Sequence, residues 1–250
     1  MIELKAHDRA VASFEALVER LGPDAVASPK RSTVPLLDYW RVPEPRLGDL
    51  GARLGVSWSA NTELHFEYEV PVQRGRGKSS YTDLMIIGND VAVAIEAKFT
   101  ESRYESVGTW LGRAQTTNRG NVLASWLRAI EAVTEAAVGP ESVSELPYQL
   151  IHRTASVCRV SQRKRFVVYQ VFGDSPGAYY REDLGRLASA IAGRDRIMFF
   201  VMGTAFRPTA AYAELVARWK GGERDMAADV RNALIAGPLL EFAEPVAIPI

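Results

Sequence analysis

The chain has 250 residues, with 30 basic side chains against 30 acidic ones, a formal net charge of zero and an apolar share of 47%. That length can bury a full core as one α/β domain, and the neutral balance restricts any nucleic-acid face to a local patch. The single cysteine, Cys158, excludes an internal disulfide and a multi-cysteine metal site. No apolar run approaches the roughly 20 residues that span a bilayer, and the opening MIELKAHDRA lacks a signal-peptide core, so a soluble, cytoplasmic protein without membrane contact is expected.

In chain order, Val11, Phe14, Val18 and Leu21 recur at helical spacing and predict a helix from about Asp8 to Leu21, ended by Gly22-Pro23. Residues 28–50 hold Pro29, Pro35, Pro43 and Pro45 among Leu36, Leu37, Tyr39 and Trp40, which reads as an ordered, irregular arm packed on the core. In residues 63–72, Leu64, Phe66, Tyr68 and Val70 alternate with Glu63, His65, Glu67 and Glu69, the period of a strand. The following QRGRGKSS reads as a basic hairpin tip; it is not a P-loop, because Val72 stands where that pattern needs glycine and a strand follows. Residues 80–100, SYTDLMIIGNDVAVAIEAKFT, read as two apolar strands joined at Gly88-Asn89-Asp90. Residues 101–144 read as mostly helical, with a stripe of Leu123, Trp126, Leu127, Ile130 and Val133, closed at Gly139-Pro140. A helix from about Pro147 to Val160, a strand at 165–173, a helix at about 181–192, the strand IMFFVMG, two further helices and a proline-containing tail complete the chain. This order predicts a mixed α/β sandwich of one domain.

The charged residues of 80–100 carry the chemistry. Glu96 and Lys98 share a strand face, with Ala97 on the other, and Asp83 can lie beside them if the two strands pair. Two converging carboxylates make a hard-oxygen site suited to Mg²⁺, which lowers the pKa of bound water. An ammonium on the same face can stabilise the phosphoryl transition state or orient the attacking water. These groups suffice for phosphodiester hydrolysis.

Asp83-LMII followed after twelve residues by Glu96-Ala97-Lys98 resembles the D…ExK signature of the PD-(D/E)xK, or restriction-endonuclease-like, phosphodiesterase superfamily. Thr82 before the aspartate, in place of proline, departs from it. The resemblance implies a restriction-endonuclease-like core, a mixed central sheet flanked by helices, over about residues 60–175. The helical insertion is then about 101–144, with an N-terminal arm 1–59 and a C-terminal extension 176–250. It implies that Asp83 and Glu96 bind Mg²⁺, for which Mn²⁺ can substitute, and that Lys98 assists catalysis. It further suggests Glu67, in preference to Glu63 or Glu69, as an upstream acid, and Gln149 with Arg153 on the following helix. The function implied is a Mg²⁺-dependent nuclease acting on DNA in preference to RNA, in a setting such as restriction or phage defence, with a homodimer left open.

Arg74, Arg76 and Lys78, and also Arg159, Arg163, Lys164 and Arg165, are the local clusters that could contact phosphates without reading bases. Trp110, Arg113, Gln115, Asn118, Arg119 and Asn121 form a further polar and aromatic candidate surface. Plainer readings stand beside these. Glu67 can belong to an exposed strand face, Gln149 and Arg153 to a helix surface, and His152 to a partly buried core. His7 and His65 have no second ligand at zinc spacing, and Cys158 reads as a buried structural thiol. The alternative functions are a catalytically silent binding or scaffold module with the nuclease fold, and a phosphoesterase for small nucleotides.

Overall fold

The computed structural model describes residues 2–113, 117–173, 177–192 and 196–250. It begins with the hairpin β1 (Glu3–Ala6) and β2 (Arg9–Val11), followed by helices α1 (Phe14–Arg20), α2 (Thr33–Tyr39) and α3 (Pro43–Leu54). Strands β3 (Glu63–Val70), β4 (Ser80–Ile87) and β5 (Val91–Lys98) come next, then α4 (Val107–Gly112), α5 (Thr117–Thr134) and α6 (Tyr148–Val157). Strand β6 (Lys164–Phe172), helix α7 (Ala178–Ala190) and strand β7 (Ile197–Thr204) follow. The last elements are β8 (Phe206–Pro208), α8 (Ala210–Lys220), α9 (Ala227–Ala236), β9 (Leu240–Phe242) and β10 (Val246–Pro249).

The chain is α/β, with one large mixed sheet ordered β10-β7-β6-β5-β4-β3-β1-β2 and helices on both faces. Strands β5, β6 and β7 run parallel, β3 to β5 antiparallel, and β1 parallel to β3. Strand β5 is buried along its whole length, which is why VAVAI is apolar on both faces. Leu84, Ile86, Val93 and Ile95 meet α1, α2, α3, α8 and α9, while Met85, Ala92, Ala94 and Val167 meet α5, α6 and α7. Among the described residues no helix is long and apolar enough to cross a membrane.

Three expectations are corrected. The helix predicted from about Asp8 starts at Phe14, because the Ser13 hydroxyl accepts the Ala16 N–H at 3.2 Å and caps it there. The residues before it instead pair as a hairpin beside β3. The arm at 28–50 is largely helical: Pro35, Pro43 and Pro45 all fall in first turns, where the missing N–H has no helical partner to lose. The proline-containing tail forms a strand, since β10 pairs with β7 at the sheet edge.

The third correction concerns β3, whose four apolar residues do not share a face. Leu64 and Phe66 pack into one core, Val70 and Tyr68 into the other. The switch falls at Glu67, which has φ +52°, a left-handed backbone that interrupts the alternation of a strand.

Candidate active site

The sheet aligns the acidic residues. In the β3–β4 ladder Phe66 lies opposite Leu84 and Tyr68 opposite Thr82, which leaves Glu67 level with Asp83. In β4–β5 the ladder ends with Leu84 opposite Ile95, so Asp83 and Glu96 stand one step beyond it. Glu96 is in turn opposite Tyr169 on β6. One line across the sheet therefore carries Glu67, Asp83, Glu96 and Tyr169, on strands about 4.8 Å apart. Where the β4–β5 ladder stops, Asp83 Oδ2 accepts the Ala97 N–H at 2.8 Å, so a side chain replaces the backbone partner of β5. An open cleft lies over the Glu67, Asp83 and Glu96 part of this line, at the C-terminal end of β5.

Glu96 is 2% exposed and fully engaged. Its Oε1 accepts from Lys98 Nζ at 2.9 Å and from Gln149 Nε2 at 2.7 Å, and its Oε2 accepts from Arg153 Nε. Lys98 Nζ also donates to Gln149 Oε1 at 2.7 Å, and Arg153 Nη1 to Ser80 Oγ at 2.8 Å. Burial alone would raise the Glu96 carboxyl, but the adjoining Arg153 and Lys98 cations override it and hold the pKa at about 2. Burial likewise opposes the charge on Lys98, and the Glu96 and Asp83 carboxylates outweigh it, so its pKa is raised.

Asp83 is in the opposite position. Its side chain keeps 21% exposure to the cleft, and its Oδ1 lies 4.0 Å from Arg153 Nη2. Burial and then the neighbouring Glu96 carboxylate push its pKa well above the usual range. Glu67 is also raised, by burial, with Arg153 offsetting and Glu96 adding to it. Three carboxylates face two cations here, and Glu96 takes most of the compensation. Asp83, at the cleft, is left with its nearest cation, Arg153, at 4.0 Å, and it holds a proton more readily than an ordinary aspartate.

The donors are hard oxygens, the chemistry that suits Mg²⁺. Among the described residues no group of three His, Cys, Asp or Glu side chains is arranged to hold a metal ion. Asp83 and Glu96 are the carboxylates that would hold such a cation, which would need water and ligand oxygens to complete its shell, and both Glu96 oxygens already accept hydrogen bonds. The two do not form a cage of protein ligands.

The other predicted residues divide. Gln149 and Arg153 join the acidic line, where Arg153 is 7% exposed and bound to Glu96. Arg74, Arg76 and Lys78 are exposed on the loop between β3 and β4, at the same end of the sheet as Asp83. That loop is pinned to α5, where Asn118 accepts the Arg76 N–H at 2.5 Å and donates to the Arg76 carbonyl at 2.6 Å. Gly75, at φ +89°, packs so closely that a Cβ would come within 2.7 Å of Val122.

The second basic cluster does not frame the cleft. Lys164 pairs with Val91, five residues before Glu96, about 17 Å back along the strand, and Arg163 is bound to Asp90 at 2.9 Å. In the 101–144 region Trp110 stacks on Tyr148 with centroids 3.9 Å apart, Arg119 lies over Trp110 and Arg113 pairs with Glu105. Asn118 serves the loop and Asn121 is exposed; Gln115 lies outside the described residues. His152 is half-buried, with Nδ1 2.8 Å from Ser80 Oγ and its pKa driven well down by burial and then by Arg153. His65 lies between Asp8 and Glu63. Burial pushes the Cys158 thiol up to about 12, as a structural thiol requires.

Residues 10–230 match the family model described as domain of unknown function (DUF6946). The chain belongs to that family. The description of that family assigns no chemistry. No curated protein and no solved structure matches the chain.

Two members of the site were not singled out from the sequence. Tyr169 stands in line with Glu96 through β5–β6 pairing, and burial and then the Glu96 charge push its hydroxyl pKa well up. Its one signal is a phenol within the apolar run RFVVYQVF. Ser80 receives Arg153 and His152 together, a role that only the approach of α6 to β4 creates.

Proposed function

We propose that this chain is a Mg²⁺-dependent phosphodiesterase of the PD-(D/E)xK type, hydrolysing nucleic-acid phosphodiester bonds. The observation that carries the reading is the Asp83 carboxyl, part-exposed at an open cleft one strand from the Glu96–Lys98–Gln149 network. A mixed sheet flanked by helices is compatible with the restriction-endonuclease-like core that the motif suggests. The preference for DNA over RNA rests on the resemblance, and nucleic acid as the partner is favoured by the exposed Arg74, Arg76 and Lys78 near the site.

In this reading Asp83 and Glu96 hold the cation, with Mn²⁺ able to replace Mg²⁺, and Glu67 adds negative potential beside Asp83. A bound cation supplies an acidified water and withdraws charge from the phosphate. The remaining work belongs to the chain. Gln149 and Arg153 fix the orientation of Glu96. Lys98 spends two of its three N–H donors on Glu96 and Gln149, and the third, with no hydrogen-bond acceptor among the described residues, can hold a water or a phosphate oxygen. Its ammonium is thus preorganised where charge develops.

The hydrogen bonds that saturate Glu96 favour a second reading, a silent module in which the network only stabilises the fold. Two measurements separate them: nicking of plasmid, linear and single-stranded DNA with Mg²⁺ or Mn²⁺, and calorimetric titration with Mn²⁺. The enzyme reading expects Asp83→Ala and Lys98→Ala each to lower cleavage by about a hundredfold or more. Undiminished cleavage in both variants sinks it, and a protein that binds no divalent metal and cuts nothing is the module.

A further inference from the structure

The line of acids extends to a residue that the D…ExK motif does not contain. Strand β1 runs parallel to β3 with Ala6 opposite Phe66, and the His7 N–H donates to the Phe66 carbonyl at 3.1 Å. One further step of that register sets His7 level with Glu67, and hence with Asp83 and Glu96. His7 is exposed and lines the same cleft as these carboxylates.

The backbone at His7 gives an independent reason to assign it a task. His7 and Asp8 form the two-residue turn between β1 and β2, with φ +48° and +59°. A turn with both residues left-handed favours Asn-Gly, and a non-glycine residue carries a backbone cost there, although histidine adopts it more readily than most. Asp8 has a visible use, since its carboxylate binds His65 at 3.0 Å. His7 makes an edge contact with Tyr81, centroids 6.2 Å apart, and its ring has no hydrogen bond among the described residues. A strained position thus holds an imidazole toward the cleft without a structural hydrogen bond to explain it. Strain of this kind collects at functional sites.

We infer that His7 contacts the substrate, donating a ring N–H hydrogen bond to the leaving oxygen of the scissile phosphodiester. The inference rests on the phosphodiesterase reading. Displacement at phosphorus sets the attacking and leaving oxygens in line on opposite sides. Lys98, on β5, lies to one side of Asp83. His7, on β1, lies to the other, about 10 Å from Asp83 by strand spacing, a gap that a bound phosphate and the imidazole together bridge. Either neutral tautomer carries one N–H, so the contact needs no change of protonation.

The test compares His7→Gly and His7→Asn with the wild type, in thermal melting and in steady-state cleavage with Mg²⁺. Glycine relieves the turn and asparagine tolerates it while keeping an N–H donor. The expected result is that His7→Gly melts at the wild-type temperature or above it while its kcat falls about tenfold to a hundredfold, KM changing less, and that His7→Asn recovers part of the loss. If the wild type cleaves and His7→Gly cleaves as fast, this inference alone is overturned. If the wild type cleaves nothing, the phosphodiesterase reading falls and takes this inference with it.

Discussion

Asp83 and Glu96 are carboxylates on neighbouring strands, yet the fold treats them oppositely. Glu96 gathers Lys98, Gln149 and Arg153 and is held at about 2 against an ordinary 4.5, so its contribution to stability is complete above about 4.5 and is lost as the pH falls toward 2. Asp83 is raised from an ordinary 3.8. Its contribution is complete below that value and is lost as the pH rises through the raised one. The metal-free protein, melted in chelator, should therefore lose stability as the pH rises from the ordinary aspartate value of 3.8 through the raised value of Asp83. Asp83→Asn keeps an acceptor for the Ala97 N–H and should flatten that decline. A melting temperature that climbs over the same range in the wild type would contradict the assignment.

At the scale of the element, β3 is the unusual strand. Its sequence alternates without a break, but the left-handed Glu67 turns the second half over, sending Tyr68 and Val70 to the opposite core from Leu64 and Phe66. A non-glycine residue there costs about 1–2 kcal/mol. Glu67→Gly should accordingly raise the midpoint of urea unfolding, by about 1 kcal/mol of stability, while weakening Mn²⁺ binding and cleavage. Lower stability together with full activity would show that Glu67 is a structural residue. The β1–β2 turn presents the same combination at the next strand, which is why the two strained residues end up side by side.

For the whole molecule, the N- and C-terminal parts close the structure over the first core. Asp38 in α2 accepts the Leu239 and Leu240 N–H groups at 3.0 and 2.7 Å and pairs with Arg41 at 3.0 Å. Arg41 itself donates to the carbonyls of Leu234 and Gly237. Asp38→Ala would leave two buried amides without their acceptor and Arg41 without its ion-pair partner, with only the two carbonyls to receive its N–H groups, at a cost of about 3–5 kcal/mol. The chemical denaturation midpoint should fall sharply, and a shift of only a few tenths of a kcal/mol would rule out this clamp.

The sequence by itself determined the α/β class, the strands β3 to β7, the helices α5 to α9 in outline, and the grouping of Asp83, Glu96 and Lys98. These features are local: a period of two or 3.6, a turn at Gly88-Asn89-Asp90, a charge set within an apolar run. The hairpin β1–β2, the helices of residues 33–54 and the edge strand β10 escaped it, because short strands gain their stability from partners far along the chain and prolines in first turns look like helix breakers. Only the tertiary structure decided which acid the cations engage, since that depends on α6 bringing Gln149 and Arg153 to Glu96 and leaving Asp83 facing the cleft. It also decided that the second basic cluster lies about 17 Å from the site, and that His7, which belongs to no recognisable motif, stands in line with Asp83. Strand register sets these relations, and register is a property of pairing between distant segments.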